Sequence, residues 1–300
     1  MDMTHNKCCR HGANLRQRRR RRRKILRSII FSCSIIAVAV FVAVGSSMIK
    51  SGDGRTNRYD VEAGNNTYDN AVIENSKISE KNKIQNNQSM LDDIMNSTQY
   101  PKQLKDLALK NEEALEFVYD YPAEHVKEHT IDLTEEASMD SVPLFVQWDK
   151  RWGYEKYSGN FFAASGCGPT TLSMVVVYLT HNREASPIAV AKYSKEAGYS
   201  VDGSGSSWTL ISEGCMHYGV KAKTVALDES RMKAELDEGH PIVVNVGPGD
   251  FTDTGHFMVI TGYDDEGFSI NDPNSIEKSG KRWLFKNISS QIRAVWSMYV

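Results

Sequence analysis

The chain has 300 residues, a net charge of −2 and ordinary shares of apolar and charged residues, which exclude a collagen-like or wholly disordered protein. The charge is unevenly distributed. Residues 1–27 hold eleven Lys and Arg and one acid, whereas the rest of the chain has more acids than bases. A basic end of this kind predicts either a nucleic-acid-binding arm or a topology signal beside a membrane span.

The next segment favours the membrane. No charged residue occurs between Ile29 and Ile49, and about 20 apolar residues cross the ~30 Å hydrocarbon core as a helix. The six arginines from Arg18 to Arg23 would stay in the cytoplasm and place the residues after the span outside. We therefore expect a basic cytoplasmic tail (1–27), one transmembrane helix (28–49) and no nucleic-acid binding. A cleaved signal peptide is the alternative, with the same extracytoplasmic destination.

Two segments connect the span to a folded domain. Residues 50–90 are rich in Asn, Ser, Asp and Lys, so they bury too little apolar surface to offset the entropy of ordering, and we predict a flexible linker. Residues 91–140 show apolar residues at helical spacing, interrupted by Pro101 and Pro122, and predict a lead-in of short helices.

Residues 141–300 predict an α+β domain, because helical patterns come first and strand-length apolar runs follow. The expected helices span residues 168–180, 187–197, 207–218, 228–238 and 287–296, and the expected strands span 242–246, 257–263 and 268–270.

Two cysteines follow the span, Cys167 and Cys215, which is too few for a disulfide framework. Cys167 lies between Gly166 and Gly168 at the start of an apolar helix. Helix N-termini carry free N–H groups and partial positive charge, which favour a thiolate and can hold an oxyanion. The glycines would leave room for a substrate carbonyl. We therefore favour a nucleophile over a cysteine that only fills space, whereas Cys215 and His217 are expected in the core.

A thiolate nucleophile needs a base that a third group orients. His256 opens a predicted strand directly after a glycine, and Asp272 ends the next strand sixteen residues later. A turn near residues 264–267 would bring the two side by side, so that Asp272 fixes the tautomer of His256. Gln147 is a candidate side-chain donor to the oxyanion, with a polar residue at a strand edge as the alternative.

Several runs resemble the papain-like cysteine peptidases related to the bacteriocin-processing (double-glycine leader) peptidases, in particular their stand-alone, exported branch in Gram-positive bacteria. The runs are VPLFVQWDKRWGYEKY, SGCGPTTLSMVVVYLT, GHPIVVNVGPGDF, TGHFMVITGYDDEGF and INDPN. The resemblance implies a papain-like fold with Cys167 as nucleophile, His256 as general base and acid, Asp272 as orienting residue and Gln147 as oxyanion donor. Transporter-linked members carry their Gln where this chain has Phe161, and the chain lacks a P-loop.

The function expected from the sequence is a membrane-anchored, extracellular thiol hydrolase that cleaves peptide or protein substrates through an acyl-enzyme. We expect no cofactor and no metal, and a monomeric protein whose N-terminus is cytoplasmic. Two alternatives stay open. One is a cell-wall amidase or another thiol acyl hydrolase or transferase with the same triad, and the other is an inactive papain-like binding module.

Overall fold

The structure, a computed structural model, describes the backbone of residues 65–300 and the side chains from residue 79 onward. The predicted cytoplasmic tail, the predicted membrane span and the first part of the predicted linker lie outside the described residues. Within residues 65–300, no helix is both long enough and apolar enough to cross a bilayer.

The two longest helices lie in the first half of the described chain, and every strand longer than two residues lies in the second, which confirms the predicted α+β class. The α-helices are α1 (Asn65–Asn96), α2 (Lys102–Lys110), α3 (Leu115–Tyr119), α4 (Tyr121–Glu124), α5 (Thr134–Ser138), α6 (Phe162–Ser165), α7 (Cys167–Thr180), α8 (Pro187–Glu196), α9 (Thr209–Ser212), α10 (Glu229–Asp237), α11 (Ile276–Ser279) and α12 (Phe285–Ile288). Short 3₁₀ turns cover Glu112–Ala114, Gly214–Tyr218 and Ser289–Gln291. The strands are β1 (Lys156–Tyr157), β2 (Asn160–Phe161), β3 (Ser200–Val201), β4 (Gly205–Ser206), β5 (Lys221–Thr224), β6 (Ile242–Val246), β7 (His256–Asp264), β8 (Gly267–Asn271), β9 (Arg282–Trp283) and β10 (Ile292–Tyr299).

The centre of the domain is a six-stranded antiparallel sheet in the order β5-β10-β6-β7-β8-β9. Alternate residues of the central strands enter two separate cores. Val243 and Val259 pack on the side of α7, whereas Val244 and Met258 pack on the side of α10. Because both faces are covered, these strands read in the sequence as continuous apolar runs rather than as alternating patterns.

Helix α7 is buried over ten consecutive residues, from Gly168 to Val177, as expected for a helix that is apolar on all sides. The Thr171 hydroxyl donates to the Phe257 carbonyl at 3.1 Å and so ties α7 to β7. This packing fixes the start of α7 against the start of β7, where the sequence predicts a nucleophile and its base.

Side-chain caps mark the start of two of the predicted helices. The Ser186 hydroxyl accepts the Ala189 N–H at 3.3 Å at the start of α8, and the Asp228 carboxylate accepts the Arg231 N–H at 3.0 Å at the start of α10. Gly239 follows α10 with φ +83°, a conformation that favours glycine. These two helices are confirmed to within one residue at either end.

The helix predicted over residues 287–296 is wrong. The chain instead forms α12, a 3₁₀ turn and strand β10, which lies between β5 and β6. In β10, Val295 faces the core on the α10 side, and Trp296 and Met298 face the core on the α7 side. A short apolar run fits both the helical and the strand repeat, so its sequence alone does not distinguish them. Here the pairing of β10 with two neighbouring strands stabilises the strand.

The single helix predicted over residues 207–218 is also wrong, because the structure divides it into α9 and a 3₁₀ turn. The break lies at Glu213, whose φ is −126°, directly before Gly214. A Cβ on Gly214 would lie 3.0 Å from the Tyr199 ring and 3.2 Å from Leu210. Close packing therefore requires glycine at a position where it weakens the helix.

The flexible linker predicted up to residue 90 is wrong over its second part, since α1 begins at Asn65. The sequence of α1 contains neither Gly nor Pro. Its C-terminal end is held by packing: Ile94 is fully buried, and Met90 and Leu91 pack against the same cluster. Polar composition alone did not reveal this, because tertiary packing stabilises most helices more than their intrinsic propensity does.

The predicted lead-in (91–140) and the predicted domain (141–300) share one hydrophobic cluster. Leu104 and Val118 of the lead-in pack in it together with Phe161 and Ala163, which lie just before the candidate nucleophile. The lead-in helices are therefore packed onto the domain at the side where the chain enters the candidate site.

Candidate active site

Cys167 is the first residue of α7, and its side chain is partly exposed, whereas the helix residues after it are buried. Both flanking glycines are required by packing. A Cβ on Gly166 would meet the Phe162 ring at 2.6 Å, and a Cβ on Gly168 would meet the Ser206 hydroxyl at 2.6 Å. We predicted that these glycines make room for a substrate carbonyl; in the structure they let the turn pack against other parts of the protein.

His256 and Asp272 meet as the spacing predicted. His256 is the first residue of β7, Asp272 directly follows β8, and the hairpin between the two strands turns at residues 264–267. The His256 Nε2–H donates to Asp272 Oδ1 at 2.7 Å, and both side chains are buried. The Asn274 backbone N–H donates to the same oxygen at 2.8 Å. Asp272 Oδ2 is buried with no hydrogen-bond partner in the described part of the chain.

The Cys167 thiol lies near enough to the His256 ring for each group to shift the pKa of the other. Because Asp272 engages Nε2, the other ring nitrogen, Nδ1, is left for the thiol. Burial alone would raise the pKa of the Cys167 thiol, but the hydrogen bond and charge of His256, with the N–H groups of Phe257 and Gly168, lower it. Burial would lower the pKa of His256, yet the charge and hydrogen bond of Asp272 raise it to about 10. The lowered pKa of Cys167 and the raised pKa of His256 both favour a thiolate–imidazolium pair.

Gln147 lies between the two halves of this site. Its side-chain Nε2 donates to the Ala163 carbonyl at 2.6 Å, and its backbone N–H donates to the Pro273 carbonyl at 2.7 Å. It therefore links the segment before Cys167 to the loop after Asp272. Its Oε1 is buried with no partner among the described residues, and Nε2 has a second N–H that no described residue uses.

The other cysteine is not part of this arrangement. Cys215 is fully buried in the core, as predicted, and burial raises the pKa of its thiol to about 11, which makes it a poor nucleophile. His217, predicted to be in the core, is instead exposed and stacks on Tyr193 with ring centroids 4.0 Å apart. In the described part of the chain, no three His, Cys, Asp or Glu side chains are grouped to hold a metal ion.

A network beside the nucleophile was missed by sequence reasoning. The Tyr157 hydroxyl bonds to the Ser194 hydroxyl at 2.8 Å and to the Ser206 hydroxyl at 2.6 Å, and Ser206 packs against Gly168. Through Ser206, these contacts support the first turn of α7. Their members are 37 and 49 residues apart in sequence, so no local pattern announces them.

A family model matches residues 139–300, and its description is the Peptidase_C39 like family. The chain belongs to this family. The match begins close to the predicted boundary at 141 and contains all four candidate residues, so the resemblance is confirmed at the level of the family.

Solved structures similar to the chain include the peptidase domain of Streptococcus ComA, described as a bi-functional ABC transporter involved in a quorum sensing pathway. It is 18% identical, with a TM-score of 0.39, over 53% of this chain and 96% of that one. Another is a C39-like peptidase from Bacillus anthracis, 17% identical with a TM-score of 0.33, over 53% of this chain and 95% of that one. No curated protein matches the chain significantly.

Proposed function

We propose that this chain is a cysteine peptidase with Cys167 as its nucleophile. The observation that carries the proposal is the buried His256–Asp272 pair, joined at 2.7 Å, beside the partly exposed Cys167 at the start of α7, whose pKa His256 lowers. A cysteine that only fills the core needs no such partners, as Cys215 illustrates. Membership of the Peptidase_C39 like family supports the same conclusion.

The proposed reaction is acyl transfer. The Cys167 thiolate forms a bond to the carbonyl carbon of the substrate, and the His256 imidazolium gives its proton to the leaving amine as the peptide C–N bond breaks. Neutral His256 then takes a proton from water while the water oxygen attacks the thioester. The acid product leaves, and the thiolate–imidazolium pair is restored. Asp272 keeps the His256 ring in one tautomer and stabilises its positive charge throughout.

We assign the developing oxyanion to the backbone N–H of Cys167 and the unused N–H of Gln147. Gln147→Ala is expected to lower kcat by about 10²–10³-fold with little change in KM, because the donor acts on charge that develops in the transition state. Gln291→Ala, which removes another buried amide, one bonded to Asp250, is the control and should leave kcat unchanged. A Gln147→Ala enzyme with normal kcat and a lower Tm would assign Gln147 a structural role only.

The substrate class is tested by digestion. The purified chain is incubated with a peptide library and, separately, with muropeptides, and the products are identified by mass spectrometry. Cleavage of peptides supports a peptidase. Digestion of muropeptides alone would support the cell-wall amidase instead, and failure to cut either, together with an unreactive Cys167, would support an inactive binding module.

We further propose that the enzyme acts as a monomer tethered to the membrane, with the domain outside, in the exported branch of Gram-positive bacteria. The uncharged run from Ile29 to Ile49 and the arginines before it support this. A protease added to intact cells is expected to digest residues 79–300 and to spare residues 1–27. Protection of the domain until the cells are lysed would contradict the proposed location.

A further inference from the structure

Asp272 begins a short loop that is folded back on itself. The Ser275 N–H donates to the Asp272 carbonyl at 3.2 Å, and the Asp272 N–H donates to the Ser279 hydroxyl at 2.9 Å. The same loop supplies the Asn274 N–H that bonds to Asp272 Oδ1. The orientation of the carboxylate towards His256 therefore depends on the conformation of the loop.

Glu113, in the 3₁₀ turn before α3, binds this loop from outside the matched family region. One carboxylate oxygen accepts the Ser275 hydroxyl. The other accepts the backbone N–H groups of Ile276 at 2.7 Å and of Glu277 at 3.0 Å, which begin α11 and have no partner within that helix. A helix of four residues does not hold itself together, so these bonds supply much of what fixes it.

Asn111, two residues before Glu113, binds the same loop at Asn274. Its Nδ2 donates to the Asn274 carbonyl at 2.9 Å and to the Asn274 side-chain oxygen at 3.1 Å. The Trp148 Nε1–H donates to the same carbonyl at 3.2 Å. The Asn111 side chain also accepts the Glu113 N–H at 3.0 Å, so the two lead-in residues form one unit.

From these contacts we infer that Glu113, supported by Asn111, is a positioning residue for the Cys167–His256–Asp272 site. These two residues of the lead-in therefore act on the site from outside the region that the family model matches. The inference rests on the proposed function of the triad. It adds to that function a residue that the family match, which begins at residue 139, does not contain.

Removal of the Glu113 carboxylate takes three hydrogen bonds from the loop. The Asn274 N–H and Asp272 are then less well placed, and a displacement of about 1 Å in such a site costs up to about 10²-fold in rate. Less support from Asp272 also means a less stabilised imidazolium. The Cys167 thiolate then forms only at higher pH. Substrate affinity should change little, because the described bonds of Glu113 are to the loop and to Asn111, not to Cys167 or His256.

The test uses the full chain and two readouts, alkylation of Cys167 by iodoacetamide as a function of pH and the kcat and KM of peptide cleavage. In Glu113→Ala the midpoint of alkylation is expected to rise by about one pH unit, equivalent to a tenfold change. The kcat is expected to fall about tenfold with KM within about twofold. Glu113→Gln, which keeps one acceptor oxygen, should lie between Glu113→Ala and the wild type.

Glu112→Ala is the matched control. It removes the same charge from the same turn, but among the described residues the Glu112 carboxylate accepts only from the exposed side chain of Asn87. It should match the wild type. A Glu113→Ala chain with wild-type alkylation and kcat would overturn the inference, even if its Tm is lower. If Glu113→Ala does not fold, the same two measurements are made on Glu113→Gln, and wild-type values in that variant would overturn the inference. A wild-type Cys167 that alkylates as an ordinary thiol would contradict the proposed function instead, so the two failures are separable.

Discussion

Cys167→Ala is expected to abolish peptide cleavage, with a fall in kcat of at least about 10⁴-fold, because the thiolate is the atom that bonds to the substrate. The side chain is partly exposed and small, so the free energy of unfolding should change by no more than about 1 kcal/mol. The measurement is peptide hydrolysis beside a thermal or denaturant unfolding curve of the same preparation.

Cys215→Ala provides the reverse control. Cys215 is fully buried in the core, so its truncation should lower the free energy of unfolding by about 1–2 kcal/mol and leave the folded enzyme active. Variants that behave the other way round, with Cys167→Ala unfolded or still active, would identify Cys167 as a packing residue.

Substitution of Asp272 is the second change expected to have a large effect on kcat. Two variants separate the contribution of its charge from that of its hydrogen bond. Asp272→Ala removes both, and we expect kcat to fall by about 10³–10⁴-fold. Asp272→Asn keeps an oxygen in place, since the Asn274 N–H needs an acceptor there and so orients the carbonyl towards His256. A neutral acceptor is weaker than a carboxylate by about 1.4 kcal/mol, which corresponds to a tenfold loss.

The pH profile expected of Asp272→Asn follows from the effect of the Asp272 charge on the pKa of His256. The Asp272 charge raises the pKa of His256 to about 10, and the active ion pair exists between the pKa of Cys167 and that of His256. Without the charge, the pKa of His256 falls, so the alkaline limb of kcat/KM should move down by about one to three pH units. Asp264→Asn, an exposed carboxylate at the far end of the same hairpin, is the control. An unmoved alkaline limb in Asp272→Asn would mean that Asp272 does not act on His256.

The candidate site could be predicted from local sequence because each of its parts lies at an element boundary. Cys167 begins a helix, His256 begins a strand, and Asp272 directly follows the next strand of the hairpin. Val259 of β7 pairs with Asn271 of β8, so the hairpin brings Asp272, the next residue after Asn271, close enough to His256 for a hydrogen bond. All three positions lie within residues 139–300, which the family model matches.

What the sequence did not predict depends on contacts between distant segments. Strand β10 was taken for a helix because its apolar residues fit either period, and only its pairing with β5 and β6 decides. The bonds of Glu113 to the loop after Asp272 join residues more than 160 positions apart. A short acidic turn in a helical lead-in gives no local sign of such a role.

The thiolate–imidazolium pair is tested most directly by the pH dependence of Cys167 alkylation by iodoacetamide. It is measured in the wild-type chain and in a Cys215→Ala chain, which lacks the second thiol of the domain. We predict a midpoint well below that of a free cysteine, which is about 8.5, and its return towards that value in His256→Ala. A midpoint at or above that of a free cysteine, unchanged in His256→Ala, would contradict the thiolate–imidazolium pair and with it the proposed peptidase.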